Sequence, residues 1–131
     1  MTPFGPLDFL YTPSRDVSAD MRRFTEDLGA TAVFAIEAFG ARVAMVRVSD
    51  EPPAVLLADH VSGERPILVY RVEDLDEAAA QLKDRGVDPG PEFGIPHGPC
   101  RSFELPGGHR LAIYELTRPG ADERFAGRFD F

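Results

Sequence analysis

The sequence predicts an α+β fold in which two βαβββ modules form a cup-shaped mixed sheet with the helices outside. Three observations predict this class. Strand-like and helix-like segments occur in the same order in both halves of the chain. The halves are offset by 58 residues, both from Phe9 to Ile67 and from Asp16 to Asp74. Each helix-like segment is followed by three strand candidates, and a helix covering one face of each sheet leaves the other face to line the cup.

The length of 131 residues predicts a single domain spanning residues 1–131. Residues 7–60 would form its first module, residues 66–116 the second, and residues 117–131 a C-terminal tail. The tail shows no clear periodicity, and we expect the aromatic side chains of Phe125, Phe129 and Phe131 to hold it against the rest of the chain.

The first module opens with a predicted strand at residues 7–12, rich in aromatic and apolar residues. Apolar residues then recur three and four positions apart, which predicts a helix that ends at Gly29. The buried face of this helix would consist of Val17, Met21, Phe24 and Leu28. The three strands after it are predicted at residues 31–39, 41–48 and 54–60, with turn residues between them.

The second module repeats this plan from a strand at residues 66–72. Asp74 and Glu77 have the spacing of a capping box at the start of a helix, and Gly86 would end that helix. Its buried face would consist of Leu75, Ala78, Ala79 and Leu82. Strands are predicted at residues 92–95, 101–105 and 109–116, the last two joined by a hairpin turn at Pro106-Gly107-Gly108.

The charge and composition exclude several classes of partner. The formal net charge is −8, which repels nucleic acid phosphates and anionic membranes. Residues 1–6 carry neither a basic region nor an apolar block, so no signal peptide is expected. The one cysteine, Cys100, cannot form an internal disulfide. Together these features predict a cytoplasmic protein that binds neither nucleic acid nor a membrane.

From residue 7 to about residue 116 the chain resembles the vicinal-oxygen-chelate superfamily of glyoxalases, bleomycin-resistance proteins and extradiol dioxygenases. The resemblance lies in the openings LDFLYTPSRDV and ILVYRVEDLDEAA, the helix end EDLGA and the late hairpin FELPGGHRLAIYEL. The hairpin departs from the superfamily pattern, Asp-Pro-x-Gly-Asn, at Leu105 and His109. The resemblance implies a homodimer.

In metal-dependent members of the superfamily, four strand positions supply histidines and carboxylates to one divalent ion. The resemblance places those positions at Phe9, Leu56, Ile67 and Ala112, and none of these side chains offers a lone pair. We therefore expect neither a metal nor another cofactor. A displaced metal site, with His60 and His97 beside Glu104 or Glu115, is a less favoured alternative.

Strand alternation predicts the lining of the cup. Its residues would be Phe9, Tyr11, Leu56, His60, Ile67, Arg71, Ala112 and Tyr114. A wall that is mostly apolar and aromatic with a few polar groups is typical of small-molecule sites. The same apolar residues could instead close the cup as core, and Arg71 would need an acidic partner or an anionic ligand if it is buried.

Three functional hypotheses follow from this lining. The most favoured is a metal-free protein, similar to the bleomycin-resistance members, that binds a mostly apolar or aromatic small molecule. The second is a metal-independent enzyme, such as a lyase or isomerase, that uses His60, Tyr11, Tyr114 or Arg71 for proton transfer or oxyanion binding. The third is a metalloenzyme with displaced ligands. A nucleophilic Cys100, activated by Arg101, is a minor alternative to a small buried residue.

Overall fold

In the computed structural model, which describes residues 2–38 and 40–131, the strand-helix-strand-strand-strand order occurs twice. This confirms the predicted α+β class with two βαβββ modules. The first module contains β1 (Leu7–Pro13), α1 (Val17–Leu28), β2 (Thr31–Ala38), β3 (Ala41–Arg47) and β4 (Ala54–Ala58). The second contains β5 (Ile67–Val72), α2 (Leu75–Asp84), β6 (Glu92–Ile95), β7 (Gly98–Leu105) and β8 (His109–Glu115), and a short helix, α3 (Ala121–Phe125), follows it.

The chain divides into two compact units. The unit that we call the N-unit contains Phe9–Pro66 and the tail residues Asp122–Phe131. The C-unit contains the chain up to Asp8 together with Ile67–Ala121. The boundary falls inside β1, so the first two residues of this strand, Leu7 and Asp8, belong to the C-unit. The tail residues Asp122–Phe131 belong to the N-unit, although they follow the second module in the chain.

In the N-unit the strand order is β2-β3-β4-β1, with β1 parallel to β4. Helix α1 begins where the Asp16 side chain accepts a hydrogen bond from the Ala19 N–H group, and it ends at Gly29, whose φ of 70° is the left-handed conformation that glycine adopts easily. The helix packs on one face of the strands. The buried residues of that layer are Val17, Ala35, Ala44, Val46, Val55 and Leu57.

In the C-unit the strand order is β5-β8-β7-β6, with β5 parallel to β8. The predicted cap of α2 is present, because the Asp74 side chain accepts a hydrogen bond of 3.0 Å from the Glu77 N–H group. The predicted buried face of this helix is confirmed, and it packs with Val72, Phe103 and Ile113 from the strands. Local capping and an apolar stripe therefore position α2 as the sequence indicates.

Some predicted boundaries were wrong. Strand β4 ends at Ala58 rather than residue 60, because Asp59 turns the chain by hydrogen bonding to the backbone of Arg42. His60 therefore lies in a turn. Leu28, predicted to be buried, is exposed because it is the last residue of α1. The predicted end of the second strand at Phe39 lies outside the described residues.

Strand β7 begins at Gly98, three residues earlier than predicted, because β6 and β7 form a tight hairpin in which Ile95 pairs with Gly98. The backbone of Glu115 lies so close to Gly98 that an added Cβ atom would be 1.9 Å from the Glu115 carbonyl oxygen. The tail also has more structure than predicted, since it contains α3 and a bridge from Ala35 to Phe129. Within the described part of the chain, no helix is long and apolar enough to cross a membrane.

Candidate functional site

Seven of the eight predicted site residues lie on the strand faces turned away from the helices, and the eighth, His60, lies in the turn after β4. In the N-unit, Leu10, Val55 and Leu57 pack with α1, so the residues that alternate with them, Phe9, Tyr11 and Leu56, lie on the opposite face. In the C-unit the residues on the corresponding face are Ile67, Arg71, Ala112 and Tyr114. Six of the eight are buried, whereas His60 is exposed and Arg71 is half-exposed.

The four positions that would hold a metal ion do not fit one. Phe9, Leu56, Ile67 and Ala112 are 5%, 0%, 6% and 0% exposed, so each position is filled by hydrocarbon. A divalent ion needs oxygen, nitrogen or sulfur ligands. Among the described residues, no group of three or more His, Cys, Asp or Glu residues could hold a metal ion. These four side chains would therefore offer no ligand to a metal ion at the position that the superfamily uses.

In the N-unit, Tyr11 and His60 form a polar pair. The Tyr11 hydroxyl and the His60 Nε2 atom are 2.9 Å apart, and the two rings meet edge to face with centroids 5.8 Å apart. Tyr11 is buried on β1, whereas His60 is exposed in the turn after β4, and this turn brings the imidazole back to the phenol. A phenol bonded to an exposed imidazole can pass a proton between a buried position and the surface.

In the C-unit, Tyr114 and Arg71 meet at a residue that was absent from the predicted site, Asp8. The Tyr114 hydroxyl donates a hydrogen bond of 2.5 Å to Asp8 Oδ2, and the Arg71 Nε atom lies 3.4 Å from the same oxygen. The Asp8 side chain is 14% exposed and that of Arg71 is 42% exposed. Arg71 is half-exposed rather than buried, and it forms an ion pair with this mostly buried carboxylate.

Strand alternation explains why Asp8 was missed. It precedes Phe9 directly, so the alternating pattern places it outside the predicted lining. The signal that could have found it is an acidic residue inside an otherwise apolar strand. A mostly buried carboxylate needs donors around it, and the arginine and tyrosine candidates supply them.

Each unit also carries a surface groove. The groove of the C-unit has a volume of about 800 Å³ and runs between the N-terminal segment 2–6 and the start of α2. Of the predicted site residues, Arg71 lines it, together with the carboxylates of Glu73, Asp74, Glu77 and Glu115. The groove of the N-unit has a volume of about 760 Å³ and lies beside residues 13–16 and Asp59. The predicted aromatic walls line neither groove.

The remaining candidates do not join these clusters. His97 is buried in the turn between β6 and β7, and His109 is exposed after the last hairpin turn. Cys100 is fully buried, and this burial raises the pKa of its thiol to about 12, although the Arg101 backbone hydrogen bond acts in the opposite direction. The thiol is therefore protonated at neutral pH, which argues against the nucleophilic alternative.

Comparison with known proteins places the fold. No family model matches the sequence, and no curated protein matches it. Among solved structures, methylmalonyl-CoA epimerase from Mycobacterium tuberculosis superposes with a TM-score of 0.75 at 19% identity, over 92% of this chain and 93% of the other. A hypothetical protein from Bacillus halodurans C-125 gives 0.71 at 13% identity, over 84% and 93%.

A methylmalonyl-CoA epimerase in complex with methylmalonyl-CoA and an ammonium ion gives a TM-score of 0.68 at 16% identity, over 88% of this chain and 96% of the other. At these identities the likeness concerns the fold. It agrees with the order of elements in this chain. The chain has the fold of the vicinal-oxygen-chelate superfamily.

Proposed function

We propose that this protein binds a mostly apolar or aromatic small molecule without a metal ion. The observation that carries the proposal is the replacement of the four metal-ligand positions by Phe9, Leu56, Ile67 and Ala112, all of them buried. Hydrocarbon at these positions offers no metal ligand and forms apolar walls that are closed in the structure. Where these walls open to a ligand, each Å² of apolar surface buried against it contributes roughly 25 cal/mol.

The polar groups support the same proposal. In each unit, the apolar face ends in one accessible polar side chain, His60 beside Tyr11 and Arg71 beside Asp8 and Tyr114. Small-molecule sites combine apolar walls with a few polar groups that orient the ligand. Because the apolar walls are buried in the structure, an approaching ligand would contact His60 or Arg71 first. To contact the walls themselves, the ligand would have to displace the side chains that pack against them.

A metal analysis tests the first half of the proposal. Elemental analysis of the purified, dialysed protein should find far less than one zinc, iron, manganese or nickel atom per chain. A chelator should leave the melting temperature unchanged, because no metal–ligand free energy is lost. One retained transition-metal ion per chain would refute this half of the proposal.

A binding screen tests the second half. Planar natural products and drugs would be screened by thermal shift, and the hits measured by calorimetry on the parent, His60→Ala and Arg71→Ala. Both side chains are accessible, so these variants should keep the fold. We expect at least one to lose about tenfold in Kd, or roughly 1.4 kcal/mol. Arg22→Ala, on the exposed side of α1, is the matched control. Unchanged affinity in both variants would place the site elsewhere.

The Tyr11–His60 hydrogen bond favours a second candidate, a metal-independent enzyme that transfers a proton. Methylmalonyl-CoA is the first substrate to try, because two of the compared structures are epimerases of this ester. We expect any interconversion of its two epimers to be lost in His60→Gln and Tyr11→Phe and kept in His109→Gln, whose histidine is exposed after the last hairpin turn. Activity that survives in His60→Gln would exclude this mechanism.

We also propose, from the fold resemblance, that the protein is a cytoplasmic homodimer. Light scattering at micromolar concentration should give twice the chain mass of 14.4 kDa. A mass of one chain across a concentration series would contradict the dimer, independently of the two ligand tests.

A further inference from the structure

Strand β2 lies at the edge of the N-unit's strand order, next to β3 alone. An edge strand presents a row of backbone N–H and C=O groups that its neighbour does not use. Here the C-terminal segment Gly127–Asp130 runs along that edge and forms a parallel bridge between Phe129 and Ala35. The segment thus occupies the position that a further strand would take.

The match between the segment and the edge is made by backbone groups. In β2, Val33, Ala35 and Glu37 direct backbone groups outward, toward the segment. Four hydrogen bonds join the edge to the segment: Gly127 N–H to Val33 O (2.9 Å), Ala35 N–H to Arg128 O (2.9 Å), Asp130 N–H to Ala35 O (2.7 Å) and Glu37 N–H to Asp130 Oδ2 (2.9 Å). Both backbone groups of Ala35 are therefore used by the segment.

Side chains hold the ends of the segment in place. Before it, the Phe125 ring packs against Phe34 with centroids 5.7 Å apart. After it, the Arg42 guanidinium lies 4.8 Å from the centre of the Phe131 ring. Inside it, Arg128 forms an ion pair of 3.0 Å with Asp130. The Arg128 hydrogen bond, and next the Glu37 backbone hydrogen bond, lower the pKa of Asp130, so its carboxylate is held charged against the edge.

The strand beneath this segment has the composition of a pairing surface. The sequence of β2, TAVFAIEA, contains one charged residue, Glu37, and neither lysine nor proline. Proteins usually protect edge strands with charged side chains, lysine above all, with proline, or with a covering segment. The covering segment is exposed at Arg128, Phe129 and Asp130, and exposed backbone hydrogen bonds of this kind open at low free energy.

We propose that the outer edge of β2 is a strand-addition site, which the C-terminal segment occupies in the folded chain and which pairs with a second copy of this chain when the segment is removed. The geometry suits an antiparallel pair centred on Ala35. Because Ala35 directs both its N–H and its C=O outward, two copies can exchange both hydrogen bonds at that residue and place Val33 of each copy opposite Glu37 of the other. This interface is independent of the ligand proposals above.

The test compares the full chain with a chain that ends at Ala126. Light scattering should show that truncation doubles the particle mass relative to the parent, whatever the parent's own state. A peptide with the sequence of residues 126–131 should restore the parental mass, and a scrambled peptide should not. Ala35→Pro in the truncated chain removes an outward N–H and should also prevent the doubling.

A truncated chain that is folded by circular dichroism and keeps the parental mass would overturn the proposal.

If truncation unfolds the chain, the full-length variant Gly127→Pro decides instead. Proline at this position removes the hydrogen bond to Val33 and cannot adopt the φ of 79° found at Gly127. Amide exchange at Asp130, whose N–H group loses its bond to the Ala35 carbonyl when the segment is displaced, should then accelerate at least tenfold together with an increase in mass. Faster exchange without an increase in mass would refute pairing. Phe129→Ser, at an exposed side chain, is the control.

Discussion

Removal of the Tyr114 hydroxyl tests whether the contacts of Asp8 with Tyr114 and Arg71 stabilise the C-unit. In Tyr114→Phe the ring keeps its buried position on β8, and the hydrogen bond of 2.5 Å to Asp8 Oδ2 is lost. The carboxylate is mostly buried, so water replaces the donor poorly, and the Arg71 Nε atom at 3.4 Å is the partner that stays. A hydrogen bond to a charged group contributes about 1.5–3 kcal/mol, so we expect a loss of about 2 kcal/mol in the free energy of unfolding.

The assay is urea unfolding at neutral pH, followed by circular dichroism. The midpoint should fall without a change in slope, because the surface exposed on unfolding is the same. For a chain of this size, about 2 kcal/mol corresponds to a melting temperature roughly 6–10 °C lower. Tyr70→Phe is the matched control, since the Tyr70 ring packs against Phe4 on the helix side. It should change stability by less than about 0.5 kcal/mol.

A double-mutant cycle with Asp8→Asn separates the bond from the general loss of polar groups. If the hydroxyl acts through Asp8, the two substitutions together should destabilise the chain by less than the sum of their single effects. Equal effects of Tyr114→Phe and Tyr70→Phe would refute the reasoning, and so would additivity in the cycle.

Three further outcomes are expected. The Cys100 thiol should react far more slowly with a thiol reagent in the native chain than in urea, because it is fully buried and its pKa is raised to about 12; equal rates would contradict this. Gly98→Ala should destabilise the chain much more than Gly94→Ala in the same hairpin. An added Cβ atom at Gly98 meets the Glu115 carbonyl group, whereas one at Gly94 meets nothing within 4 Å. Equal melting temperatures of the two variants would contradict the close approach at Gly98. The pKa of Asp130 is lowered in the folded chain, so its charge stabilises the fold at pH values above the usual carboxyl pKa. This stabilisation is lost as the pH falls through the lowered pKa. The difference in melting temperature between the parent and Asp130→Asn should therefore shrink from neutral pH to about pH 3.

The features that the sequence predicted correctly are those set by neighbouring residues. Helix α2 follows from Asp74 at its start and an apolar stripe along it, and both act within a few residues. The left-handed conformation at Gly29 ends α1 for an equally local reason. The repeated module order follows from two such helices, each followed by three strands, and it was predicted without knowledge of any long-range contact.

The features that were missed depend on residues far apart in the chain. The end of β4 is set by bonds between Asp59 and the Arg42 backbone, so alternation along the strand carried the prediction two residues too far. The bond between Asp8 and Tyr114 joins residues 106 positions apart, and no periodicity relates them. The path of the tail along β2 likewise depends on an edge that exists only after the sheet has formed.

The arrangement of the polar groups separates the two proposed functions. In the C-unit, one Asp8 oxygen faces both Tyr114 and Arg71, so this carboxylate positions a cation rather than serving as an available base. Arg71, half-exposed beside it, is suited to orient an anionic group of a ligand. In the N-unit the accessible group is the His60 imidazole, whose Nε2 atom contacts the buried Tyr11 hydroxyl.

We assign proton transfer, under the second proposal, to the Tyr11–His60 pair, and ligand orientation, under the first, to Arg71. Substitutions at the two positions should consequently differ in kind. His60→Gln should abolish any proton-transfer activity while it leaves affinity within a fewfold of the parent, whereas Arg71→Ala should weaken binding of an anionic ligand and leave that of a neutral analogue unchanged. A protein that only binds would show the Arg71 effect and no turnover. Equal losses of affinity for the neutral and the anionic ligand in Arg71→Ala would show that this arginine contributes packing and not charge.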